Sequence, residues 1–327
     1  MRPFVATWRP LWPRHLRGWV VFSLLISCAA CEPLRQWGAD SIVRAPNRGE
    51  LAPTRGDGEL VVAVGPPAAT LSLEIVDAKG APRGTVFLLH GIRADKSQVR
   101  GWARMLADAG FRAVLVDLRG HGRSTGDWLS YGVVESRDLA QVLDALDERG
   151  LSVGRVGVMG LSYGAATAIE WAGMDSRIAA VVAVAPFASL RAVAPGYAPL
   201  FPASFVESAI DVAGYEGGFD PDEASPDRAI RRTSAPVLVI HGEDDGSIPP
   251  WHSKQICAAG GDHAELLLVP GEGHRSITDA AVVRGRSAEW FARHLDPPKK
   301  SDLEPGRHES SGARVLGSAR AVASLRP

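Results

Sequence analysis

Ser162 stands between two glycines in Gly160-Leu161-Ser162-Tyr163-Gly164. An apolar run, Val156 to Met159, leads into it, and an alanine-rich stretch, Ala165 to Trp171, follows with helical character. A serine on a sharp strand-to-helix turn is held out above the sheet edge. Its neighbours two positions away must be small, because backbone segments pass close there. The turn also places Ser162 at a helix N-terminus, where free amides and the helix dipole favour negative charge. This is the G-x-S-x-G arrangement of a nucleophilic serine. Such a hydroxyl needs an imidazole base, and the imidazole needs a carboxylate to fix its tautomer.

Nine histidines are available. His15 and His308 lie outside the core, and His294 sits among charges on the last helix. His121 is near the end of a strand, His90 and His241 end strands in positions that serve local packing, and His252 and His263 carry no turn signature. His274, in VPGEGHRS, follows the last strand in a glycine-rich loop and can reach over the sheet's C-terminal edge. The acid should follow a strand too. The stretch after 178–186, PFASL, holds no carboxylate, whereas the stretch after 235–241 holds Glu243, Asp244 and Asp245, all acceptable by position. An oxyanion hole needs two backbone amides. Tyr163 supplies one, and Ile92, in the loop after strand 85–90, supplies the other.

The elements that must position these residues alternate in type. Runs at 59–64 and 70–77 read as an opening antiparallel pair. Apolar runs at 85–90, 112–118, 156–159, 178–186, 235–241 and 264–270 read as strands covered on both faces. Helical spacing occupies 99–110, 134–150 and 279–295 between or after them. Such alternation predicts a mostly parallel, doubly wound α/β sheet over 58–296. Residues 187–234, rich in Pro, Gly and aromatics, interrupt it as an inserted cap. There Phe187, Tyr197, Phe201 and Phe205 either line a pocket or pack the cap on the core. Residues 32–57 read as a polar linker and 297–327 as a disordered tail.

The segments LLHGIR (88–93), DLRGHGRS (117–124), GLSYG (160–164), IHGEDDGSIP (240–249) and PGEGH (270–274) together resemble the α/β-hydrolase superfamily. The closest likeness is to its dienelactone-hydrolase-like and serine-aminopeptidase-like branches. The resemblance implies the α/β-hydrolase fold, with the cap between strands 178–186 and 235–241 and a catalytic order of Ser, Asp, His. In relatives H-G-x-x-D-x-x-[V/I]-P marks the acid. Laid on His241 to Pro249 it selects Asp245. The implied activity is hydrolysis of a small or medium acyl ester, with no cofactor and no metal. Peptidase, thioesterase and acyltransferase share the acyl-enzyme route. A non-catalytic surface binding module is a second class, against which a complete Ser162, Asp245, His274 set argues. The oxyanion loop, His90-Gly91-Ile92-Arg93, departs from the HGGG run of many lipases and carboxylesterases.

The composition is that of an ordinary globular protein. Among 327 residues, 46% are hydrophobic and 22% charged, and the net charge of −1 gives no basic field for nucleic acid. Three cysteines, Cys28, Cys31 and Cys257, make neither a disulfide framework nor a zinc pattern. Arg2, Arg9, Arg14 and Arg17 form a basic leader before the uncharged run Gly18 to Ala30. This reads as a secretory signal over 1–31. Its end, Leu25-Ile26-Ser27-Cys28, resembles a bacterial lipobox, which implies lipid attachment at Cys28, with Cys31 as the second candidate. The expected location is the cell envelope, with membrane attachment through that lipid. Labelling cells with a palmitate analogue should mark the wild type and not Cys28→Ala. Label that persists in Cys28→Ala and vanishes in Cys31→Ala moves the site to Cys31, and label indifferent to both removes the anchor.

Overall fold

A computed structural model describes residues 32–49 and 59–296. The expected signal segment with Cys28 and Cys31, and the expected tail 297–327, lie outside the described residues. Eight strands form the central sheet in the order β10-β9-β8-β7-β4-β5-β3-β2. β2 (Glu59–Val64) and β3 (Ala69–Val76) pair antiparallel, as the sequence predicts, and β3 pairs antiparallel with β5 (Arg112–Val116). β4 (Gly84–Leu89), β5, β7 (Arg155–Leu161), β8 (Ile178–Val184), β9 (Val237–Gly242) and β10 (Ala264–Val269) run parallel.

The parallel strands are apolar along their length because helices cover both faces. On β4, Phe87 and Leu89 join one core cluster while Val86 and Leu88 join the other. The first cluster contains Leu139 and Leu143 of α3 (Val133–Glu148) and Ile169 and Trp171 of α4 (Tyr163–Met174). The second contains Trp102 and Leu106 of α2 (Arg100–Asp108) and Phe291 of the last helix (Ala281–Leu295). Trp171 meets Phe87 edge-on at 5.0 Å, fixing α4 against the middle of the sheet.

Between β8 and β9 the chain leaves the sheet to build a helical cap. Its principal helices are α5 (Leu190–Tyr197) and α6 (Ala203–Gly217). Residues 32–49, expected as linker, are instead ordered elements, and the first of them, α1 (Glu32–Val43), packs on this cap. α1 buries Gly38, Ala39 and Val43, and β1 (Arg44–Gly49) pairs antiparallel with β6 (Gly126–Trp128). Ala39 and Val43 join a third cluster with Leu190, Val206 and Ile210. The buried face of α1 consists mainly of small residues. Close approach to α6 buries it, rather than a stripe of large apolar side chains.

Candidate active site

β7 ends at Leu161 and α4 begins at Tyr163, so Ser162 alone makes the turn. Its backbone sits at φ 54°, ψ −111°, a left-handed conformation costly for a residue with a Cβ. The two glycines explain how the turn closes. A Cβ at Gly160 would stand 2.1 Å from the Gly164 carbonyl oxygen, and one at Gly164 would stand 2.6 Å from the carbonyl oxygens of Leu89 and His90. The Ser162 amide donates to Val184 O at 2.8 Å, pinning the turn to β8. Arg93, Tyr131 and Ala185 are the other non-glycine residues with positive φ among the described residues. Arg93 and Tyr131 border the same cavity as Ser162, and Ala185 follows the carbonyl that holds it.

His274 and Asp245 reach Ser162 from two neighbouring strand ends. The loops after β9 and β10 are laced by Glu243 N to Val269 O at 3.0 Å and Asp244 N to Glu272 O at 3.0 Å. Gly242 lets them cross, since a Cβ there would fall 2.1 Å from Glu272 O. His274 Nε2 then lies 3.1 Å from Ser162 Oγ, and its Nδ1 lies 2.6 Å from Asp245 Oδ2. Asp245 is 3% exposed, whereas Glu243 and Asp244 face solvent. Asp245 Oδ1 accepts the Ser247 and Ile248 amides at 2.9 and 2.8 Å. Burial works to raise its pKa, but hydrogen bonds from His241, His274 and the Ile248 amide outweigh burial and hold it well below the usual carboxylate range. Asp245 is therefore an ionised acceptor, suited to orient an imidazole whose Nδ1 carries the proton.

Ile92 and Tyr163 both line the cavity at Ser162. As the first residue of α4, Tyr163 has an amide with no intrahelical partner. Its phenol points away and donates to Glu135 Oε1 at 2.7 Å. Glu135 is fully buried and also accepts from Ser130 and from the Gly132 amide at 2.9 Å. The Ile92 loop rests on polar supports of its own. Leu118 N donates to His90 Nε2 at 3.0 Å, which leaves Nδ1–H to donate to Gly91 O at 2.8 Å. Burial, aided by neighbouring His121, lowers the His90 pKa to about 3 and keeps the ring neutral. Beyond the loop, Lys96 Nζ pairs with buried Asp117 Oδ2 at 2.6 Å, and the Lys96 amide donates to Oδ1 at 2.7 Å. Removing one partner of such a pair costs roughly 3–5 kcal/mol. His90 supports its own loop, whereas His241, expected to serve packing alone, sets its Nε2 3.2 Å from Asp245 Oδ2 and 2.7 Å from Ile248 O. The roles of Lys96, Asp117 and Glu135 went unread, because no spacing links residues joined only across the fold.

The cavity above Ser162 has a volume of about 430 Å³, within the range of small-molecule sites. Phe187, Tyr197, Phe201 and Phe205 of the cap line it, with Ile248 beyond Asp245. Trp37, Gly38, Ser41 and Ile42 of α1 also line it. Among its lining residues Arg93 alone is charged.

A strained serine at a strand-to-helix turn, in an eight-stranded mostly parallel sheet, defines a serine hydrolase of the α/β-hydrolase superfamily. Residues 97–297 match the model of the prolyl oligopeptidase family, and the chain belongs to that family. It is 31% identical over 180 residues to the uncharacterized protein YqkD of Bacillus subtilis, covering 53% of this chain and 58% of YqkD. It is 30% identical over 223 residues to ABHD14B of Rattus norvegicus, a candidate protein-lysine deacylase, covering 66% of this chain and 83% of that protein. The esterase Pf2001 of Pyrococcus furiosus shares the fold, with a TM-score of 0.60 at 20% identity over 76% of this chain and 100% of that one.

The buried position of Asp245 against exposed Asp244 yields a direct comparison. Asp245→Asn should lower kcat by on the order of 10³–10⁴ with folding intact, because Asn favours the wrong imidazole tautomer. Asp244→Asn should stay near wild type. Ester kinetics with circular dichroism check both, and the reverse ranking would move the acid to Asp244.

Proposed function

We propose that the protein hydrolyses carboxylic esters through an acyl-enzyme on Ser162. The observation that carries this reading is the unbroken chain of hydrogen bonds from Ser162 Oγ through His274 to Asp245, beside an apolar cavity. His274 takes the serine proton as Oγ attacks the ester carbonyl. The Ile92 and Tyr163 amides hold the oxyanion. His274 then returns the proton to the leaving alcohol, and a water attacks the acyl-enzyme by the same route in reverse. Asp245 stabilises the imidazolium formed in each half.

An apolar cavity favours an ester with an apolar acyl group over a polar peptide. The family and the name of ABHD14B, a candidate protein-lysine deacylase, keep amide substrates as the alternative. We further propose that the protein is exported and held at a membrane through lipid on Cys28, a reading supported by the basic leader and the lipobox-like end of the apolar run.

Ser162→Ala should reduce ester kcat by on the order of 10⁴–10⁶ and abolish labelling by a fluorophosphonate probe, with the fold unchanged. Wild-type turnover and labelling in that variant would overturn the mechanism.

A further inference from the structure

One wall of the cavity comes from α1, which lies outside the region 97–297 shared with the family. Resting on the ester-hydrolase reading, we propose that α1 selects the acyl chain. Gly38 keeps the inner cavity open, and Trp37 forms its outer stop.

The packing of α1 on α6 supports this role for Gly38. A Cβ at Gly38 would stand 3.3 Å from Ala209 Cβ and 3.5 Å from Phe205 Cζ. The helices therefore meet backbone to side chain at the cavity wall. A larger residue there must either enter the space beside Phe205 or lift α1 away, and both change what fits. Trp37 differs: it lines the cavity yet remains 60% exposed. An indole in that position bounds the outer end of the cavity, where it blocks a chain long enough to reach it and leaves a short one untouched.

The anchoring of α1 is graded along its length. Its C-terminal end is tied close to Ser162 by three backbone carbonyls. Ser41 O accepts from Arg93 at 3.3 Å, Ile42 O from the Tyr131 hydroxyl at 2.8 Å, and Val43 O from Leu129 N at 2.7 Å. Arg93 directly follows Ile92, so its hydrogen bond to Ser41 O links the wall to the loop that carries Ile92. Toward its N-terminus, the hydrogen bond from α1 to the body among the described residues is the side-chain pair Gln36–Glu216. Short acyl groups thus meet the pinned end, and longer ones meet Gly38 and then Trp37.

The test is kcat/KM of the full-length protein on the 4-nitrophenyl esters of acetate, butyrate, octanoate and dodecanoate. The readout is each value relative to acetate. Gly38→Leu should cut the octanoate-to-acetate ratio by roughly tenfold or more. Trp37→Ala, a change at an exposed side chain, should shift the preferred length upward. Ratios unchanged in both variants, or all esters falling together, would overturn the proposal and leave α1 as packing alone. Failure of the ester-hydrolase reading would show separately, as absence of fluorophosphonate labelling at Ser162 in the wild type.

Discussion

The molecule depends on one close approach of backbone at the end of β7. Ser162 can stand above the sheet only because Gly160 and Gly164 leave no Cβ between the turn and its surroundings. Its left-handed backbone costs on the order of 1–3 kcal/mol. The cost is met by a largely buried platform: Val156 and Val158 of β7, the sheet-facing side of α4, and Trp171 against Phe87. The strain is thus held at the buried centre of the sheet. It puts the hydroxyl within 3.1 Å of His274 and the next amide at the mouth of a cavity.

The rest of the site follows the same logic of placing loops by what cannot fit between them. Gly242 lets two loops cross, and their laced backbones carry Asp245 and His274 to one point. Electrostatics then separates roles among similar groups. Asp245 and Asp244 are adjacent acids, but only Asp245 is buried and wrapped in donors. His90 is buried beside another histidine and stays neutral as a scaffold. His274 is partly open and shares its two nitrogens between a carboxylate and a hydroxyl.

Much of this was legible in the amino-acid sequence, and the reason is local. Gly-x-Ser-x-Gly, the His-Gly loops and the apolar strands each encode their geometry within a few residues. The sheet could therefore be placed from spacing, and Ser162, Asp245 and His274 could be singled out from spacing and resemblance. What escaped was encoded across distance. α1 read as linker because Gly38 and Ala39 gain burial only by touching α6, about 170 residues away in the chain. Lys96 with Asp117, and Glu135 with Tyr163, are polar pairs that no periodicity announces.

The central claim is a covalent bond between Ser162 Oγ and the acyl group. The most direct measurement is to quench turnover of 4-nitrophenyl acetate in acid during the initial burst and map the acetyl group by peptide mass spectrometry. The account predicts acetylation of the peptide containing Ser162, at Ser162. A stoichiometric burst of nitrophenol with the acetyl group on any other residue would contradict it.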